Sequence, residues 1–246
     1  MKKTVLTLLG ILAICNTVAA ANIGVGYGTT REIYKSDEDD YFLPLIDIEY
    51  NNFFLNASTG NSIRLGYNVY KDDFYALAIY IRPFGGYEVE SSDMKDGYKS
   101  IDDRDHQFMG GIGFKAYTGF YEIELGGTIE YGKEGGMGSL GLYRTYVITP
   151  KLTLIPSVNF TYYESDYVDY YFGIDSGELG GSIKDTYDGE DSYRYGLSLS
   201  AVYNFTDNIS VVGSTGINKL SNEISDSPII ENDVIYYFGV GIVYTF

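Results

Sequence analysis

Phe120-Tyr121-Glu122-Ile123-Glu124-Leu125-Gly126-Gly127-Thr128-Ile129-Glu130-Tyr131 decides the fold class. Tyr121, Ile123, Leu125, Ile129 and Tyr131 fall on one side of an extended chain, and Glu122, Glu124, Thr128 and Glu130 on the other. Side chains alternate across a strand with period two, so this stretch reads as a strand with one apolar and one polar face. The same alternation runs outward in both directions. Ile63, Leu65, Tyr67 and Val69 form one apolar stripe, and Tyr75, Leu77, Ile79 and Ile81 another. Tyr193, Tyr195, Leu197, Leu199, Ala201, Tyr203 and Phe205 form a third, and Val234, Tyr236, Phe238, Val240, Ile242, Tyr244 and Phe246 a fourth.

Twelve strands are predicted, near 22–30, 42–50, 53–58, 62–70, 74–83, 107–117, 120–132, 138–148, 151–164, 191–205, 208–218 and 233–246. Without the short 53–58 and a partner the count is ten. Several strands are ten or more residues long, beyond the usual globular strand and matched to a tilted membrane-spanning one. The links alternate. Asn51-Asn52, Lys71-Asp72-Asp73, Thr118-Gly119, Thr149-Pro150-Lys151 and Thr206-Asp207-Asn208 are tight. Those at about 31–41, 84–106, 165–190 and 219–232 are long, while 59–61 is the one short link on that side. Short turns on one rim and long loops on the other are the layout of an outer-membrane barrel. The expected fold is therefore all-β: an antiparallel up-and-down transmembrane β-barrel of about twelve strands. In such a barrel the apolar stripe faces lipid and the polar one faces the lumen. A soluble exported β-protein would invert the two faces, and strand length argues against it.

The N-terminus agrees. Lys2 and Lys3 precede an apolar run from Thr4 to Cys15, followed by Ala19, Ala20 and Ala21. That is the plan of a Sec signal peptide over 1–21, with cleavage between Ala21 and Asn22. The run is too short to span a bilayer as a helix. A lipoprotein reading of Cys15 conflicts with bulky Ile14 before it. The mature region, 22–246, then forms one barrel domain in the outer membrane of a diderm bacterium, surrounded by lipid and lipopolysaccharide.

Composition removes other classes. One Cys excludes a disulfide scaffold and a cysteine-ligated metal site. A net charge of −17 argues against nucleic acid as a partner. The 45% apolar content is not that of a disordered chain. The charge is unevenly placed. Of 34 acidic residues, 26 lie in 31–41, 84–106, 132–137, 164–191 and 219–233, with eight Lys+Arg, so the outer rim carries −18 and everything else +1. Solvation of that rim is the plain reading; bridging by divalent cations is the alternative.

Residues suited to catalysis or metal binding are few. His106, the one His, follows Asp102-Asp103-Arg104-Asp105 at an outer strand end. An Asp–His pair can activate water, and a Ser–His pair can activate a nucleophile. Neither a second acidic pair nor a suitably spaced Ser accompanies it, so His106 reads as a solvated rim residue. Asp37-Glu38-Asp39-Asp40 lacks the spacing of a calcium loop. Gly110-Gly111 and Gly126-Gly127 follow no phosphate-binding pattern and read as positions of strand bending or close packing. Pro156 predicts a bulge or kink in its strand. No cofactor or metal site and no catalytic residue is expected. The strand charges on the polar face are Asp47, Glu49, Arg64, Arg82, Lys115, Glu122, Glu124, Glu130, Arg144 and Arg194, five acidic and five basic. Such balance fits either a narrow solute channel or a cross-linked polar core that pairs its buried charges.

Several stretches resemble the MipA/OmpV family of outer-membrane proteins. These are Leu43-Pro44-Leu45-Ile46-Asp47-Ile48-Glu49-Tyr50 with Phe53-Phe54-Leu55, Asp102-Asp103-Arg104-Asp105, Tyr170-Tyr171-Phe172-Gly173-Ile174, and Ser225-Asp226-Ser227-Pro228-Ile229-Ile230. The final stripe, Phe238, Val240, Ile242, Tyr244 and Phe246, resembles the terminal signal read by the barrel assembly machinery. The resemblance implies an outer-membrane barrel without catalysis. It also implies a scaffold role between a murein-hydrolysing and a murein-synthesising enzyme in the periplasm, with porin-like and adhesin roles as alternatives. No residue motif for scaffolding maps onto this chain, and 174–191 departs from the family pattern.

Overall fold

The computed structural model describes residues 20–36, 41–57 and 63–246. Strands β1 (Ala20–Thr30), β2 (Tyr41–Tyr50), β3 (Phe53–Ala57), β4 (Arg64–Lys71), β5 (Tyr75–Gly85), β6 (Gln107–Tyr117) and β7 (Ile123–Gly132) follow one another around the wall. The wall continues through β8 (Gly135–Arg144), β9 (Tyr146–Thr149), β10 (Leu152–Tyr163), β11 (Ser192–Asn204), β12 (Ile209–Leu220) and β13 (Val234–Thr245). Every neighbouring pair is antiparallel, and β13 returns to pair with β1, from Asn22↔Thr245 to Thr30↔Tyr237. Among the described strands closure leaves no unpaired sheet edge, which a bilayer requires because it offers backbone groups no water.

Strands β8 and β9 form one wall strand, so the barrel has twelve. Ser157↔Tyr143 and Leu154↔Tyr146 lie on either side of the break in a single register. The gap falls opposite Ile155 and Pro156. A proline has no N–H for the ladder, so Pro156 interrupts its neighbour's pairing. Its own pairing to β11 runs unbroken through Pro156↔Leu199. The expected kink thus appears in the partner strand.

The apolar stripes face outward. Ile79, Ile112, Ile129, Leu140, Val158, Leu197 and Ile242 are all exposed on the barrel exterior, the surface a bilayer covers. Their strand neighbours Tyr80, Glu130, Ser139, Asn159 and Thr161 turn inward.

The opening stretch is not strand throughout. β7 begins at Ile123, and 118–122 forms a turn in which Gly119 (φ 69°), Tyr121 (φ 49°) and Glu122 (φ 56°) are left-handed. Thr118 closes it: its hydroxyl donates to the Ile123 carbonyl at 2.7 Å and accepts from the Phe120 N–H at 3.2 Å. This local side-chain bonding outcompetes the three ladder positions expected at 120–122.

The long loops are folded. Helix α1 (Ser165–Phe172), two short 3₁₀ turns at Ser91–Asp93 and Ser176–Glu178, and a single helical turn at Asn222–Ser225 lie on the outer side. Their apolar residues make a compact cluster: Val89, Met94, Ile101, Tyr167, Val168, Tyr171, Phe172, Ile174, Ile183, Ile224, Ile229 and Ile230, with Tyr34 from the first loop. The dominant buried core of this protein is therefore this cap. The predicted signal peptide, the 59–61 link and Asp37-Glu38-Asp39-Asp40 fall on residues outside those described, except that Ala20 and Ala21 already belong to β1.

Candidate functional site

The lumen divides into a filled half and an open half. In the filled half, Glu130 on β7 is fully buried. Its carboxylate accepts from Arg64 at 2.7 Å, from Arg82 at 2.8 Å and from the Tyr80 hydroxyl at 2.7 Å. Strand β6 lies between Tyr80 on β5 and Glu130 on β7, and Tyr80 has to cross it. Gly111 permits the crossing, because a Cβ there would meet the Tyr80 ring at 2.6 Å. Gly110, on the other face, has nothing within 4 Å. Arg64 also stacks over the Tyr80 ring at 5.0 Å. Nearer the inner rim, Lys71 pairs with Glu49 at 2.6 Å, and Lys115 pairs with Glu124.

The open half is walled by β10–β13, β1 and β2. A cavity of about 2030 Å³ runs along it. Hydroxyl and amide side chains line it, among them Ser139, Asn159, Thr161, Ser214 and Asn218. Asp47 sits toward the inner end and Arg194 toward the outer end. Glu122 and Arg144 lie elsewhere. Glu122 is in the inner turn before β7, and Arg144 pairs with it at 3.3 Å and stacks over outward-facing Tyr146 at 4.6 Å. Arg144 is opposite Ile123 in the ladder and shares its outward side. Phe238, Val240, Ile242, Tyr244 and Phe246 stand half-exposed on the outer face of the seam strand. His106 borders the outer end of the cavity, 3.6 Å from Glu88 and edge-on to Phe84.

Buried polar ties hold the cap together at the outer end of the barrel. Arg104 donates to Glu178 at 2.7 Å and to the Gly173 carbonyl at 3.2 Å. Glu178 also accepts the Asp102 N–H at 2.7 Å and the Asp175 N–H at 2.8 Å. One carboxylate thus joins loop 84–106 to loop 165–191. The Tyr34 hydroxyl donates to the Tyr171 carbonyl at 3.2 Å, and Ser227 donates to the Phe172 carbonyl at 2.6 Å. Burial pushes the Tyr34 hydroxyl well above the usual phenol range, with Tyr87 and Tyr171 beside it adding to the rise. Burial likewise raises Tyr167 and Tyr171.

Sequence reading treated these loops as hydrophilic cover and missed the cap. A signal was present: Tyr167, Val168, Tyr171 and Phe172 sit at the spacing of one helical face.

A family model described as MltA-interacting protein MipA matches residues 23–246. The chain belongs to that family. It is 29% identical over 216 residues to a 24 kDa outer membrane protein of Pasteurella multocida (strain Pm70), covering 85% of this chain and 84% of that one. It is 27% identical over 256 residues to the MltA-interacting protein of Escherichia coli (strain K12), covering the whole of both. Among solved structures, the KdgM porin aligns with TM-score 0.48 and 10% identity, covering 92% of this chain and 99% of that one.

The protein is thus a MipA-family barrel of the outer membrane. Three of the stretches that carry the family resemblance, around Arg104, Phe172 and Ser227, meet in the cap. They are joined by Arg104 to Gly173 and by Ser227 to Phe172. In this MipA-family chain those sequence patterns serve to hold the outer loops together.

Proposed function

We propose that this barrel is a non-catalytic scaffold of the envelope that offers its inner rim to periplasmic enzymes which cut and build murein. The observation that carries the reading is full-length similarity to a relative named MltA-interacting protein. The inner rim available for docking consists of tight turns, including Asn51-Asn52 and 118–122. In the latter, exposed Phe120 and Tyr121 pack edge to face at 4.5 Å. In this reading the chain is exported by the signal peptide over 1–21. It is then inserted by the barrel assembly machinery through the stripe Phe238 to Phe246 and held among lipid and lipopolysaccharide by its apolar exterior. Affinity capture from solubilised envelopes, with the tagged full-length barrel as bait, tests the scaffold. Retrieval of a murein hydrolase or synthase is expected, and repeated capture without either refutes it.

A second reading, a small-solute channel, is favoured by the 2030 Å³ lumenal cavity. Planar-bilayer recordings should show discrete conductance steps, and their absence removes this reading.

A further inference from the structure

We propose that Arg194 anchors a lumenal binding site for the carboxylate of a small hydroxylated solute. The inward-facing cations of β4, β5 and β6 each have an acid: Arg64 and Arg82 share Glu130, Lys71 holds Glu49, and Lys115 holds Glu124. Among the described residues, Arg194 has no carboxylate within ion-pair distance, and its Nε is out of water without a hydrogen-bond partner. Arg64 and Arg82 share the unpartnered Nε, but their terminal nitrogens are anchored. Arg194 is half-buried and lines the cavity, so its terminal nitrogens are open to an anion that enters there.

The surroundings define the ligand. The Arg194 guanidinium carbon lies over the Tyr163 ring, 5.9 Å from its centroid. The guanidinium edges, which bind carboxylates through two parallel hydrogen bonds, remain for a ligand. Thr161 stands directly opposite Arg194 on β10, and Asn159 and Asn218 flank Gly196, two residues further along β11. Tyr237 lies over Gly216, where a Cβ would meet its hydroxyl at 2.5 Å. All four side chains line the same cavity, and their hydroxyl and amide groups match a solute bearing hydroxyls. Asp47, toward the inner end and also without an ion pair among the described residues, repels a second anion there and fixes which end the carboxylate occupies. Carboxylates at the outer mouth, such as Glu32 and Asp105, slow an anion's approach. With screening over about 8 Å at physiological salt, they do not cancel a direct guanidinium contact.

The site is independent of the scaffold reading and is tested by calorimetric titration of the full barrel in lipid nanodiscs. The probes are gluconate, its neutral counterpart glucitol, and inorganic phosphate. Gluconate should bind saturably and glucitol should not. Arg194→Gln should weaken gluconate at least tenfold, Asn218→Leu several-fold, and Arg194→Lys least of the three. Gluconate binding that is absent, equalled by glucitol, or undiminished in Arg194→Gln overturns the proposal. So does phosphate binding more tightly than gluconate. If Arg194→Gln does not reach the heat-modifiable folded form, the gluconate–glucitol comparison on the unaltered chain still decides.

Discussion

Replacing Glu130 by Gln removes one charge from the filled half of the lumen while preserving shape. Glu130 is fully buried, Arg82 is 13% exposed and Arg64 is 32% exposed. Arg64 can turn toward lumenal water, so its share of the loss is small. Arg82 cannot. It loses a charge-assisted hydrogen bond, about 1.5–3 kcal/mol, and the new amide N–H₂ faces a donor, about 1 kcal/mol more. Tyr80 keeps the remaining amide oxygen as an acceptor. The expected destabilisation is therefore about 3 kcal/mol, roughly a hundredfold in the folding equilibrium. Urea titration of the barrel in lipid vesicles, followed by the heat-modifiable gel shift, measures it. The double variant Glu130→Leu with Arg82→Met should recover much of the loss, because a buried pair replaced by apolar groups of similar volume is often neutral. A single-variant loss below about 1 kcal/mol, or a double variant worse than the single, would show that the cluster is a solvated decoration of the lumen and refute the reasoning.

Gly111→Ala should destabilise by about 1–3 kcal/mol through displacement of the Tyr80 ring, whereas Gly110→Ala, with open space around it, should be nearly neutral. Comparing the two urea midpoints checks this. Phe172→Ala empties the centre of the cap and should cost about 3–5 kcal/mol locally. Proteolysis of intact cells should then cut within 84–106 or 165–191 while the barrel band survives. The buried tyrosines give the cap a pH dependence with a definite sign. Their folded pKa values are raised by burial, so the cap's stability is full below the unfolded phenol value of about 10 and is lost as pH rises beyond it. Late-titrating phenolate absorbance, rising together with protease sensitivity above that pH, is the expected result. Loss of the cap on acidification alone would contradict it.

The wall was legible because period two is a direct print of geometry on sequence. Lipid on one side and lumen on the other force alternation at every residue, and the strand bounds follow closely. Legibility ended where a single side chain outvoted the pattern. The Thr118 hydroxyl curled Tyr121 and Glu122 out of β7, and with them went the inward placement assumed for Glu122. Arg144 was expected in the lumen because it is charged, but the parity of its own strand already set it with outward-facing Leu140 and Leu142, opposite Ile123. The pairing of Glu130 with Arg64 and Arg82 depends on which strands adjoin and on the room left by Gly111, and neither is periodic. The cap was hidden for a different reason. Its core gathers residues from four loops separated by long stretches of wall, so no local window holds enough of its apolar set. Its acidic surface also reads as solvation.

The seam between β1 and β13 has a kinetic consequence. Thr245 donates to Asn22 at 2.7 Å across a separation of 223 residues. Until that contact forms, the sheet is an open ribbon with two unsatisfied margins, each able to recruit a strand from another chain. Contacts so distant along the chain are also the slowest to find by diffusion. Assembly therefore races closure against self-association, and a periplasmic holdase that keeps chains apart until β13 reaches β1 would alter yield without altering the stability of the finished ring.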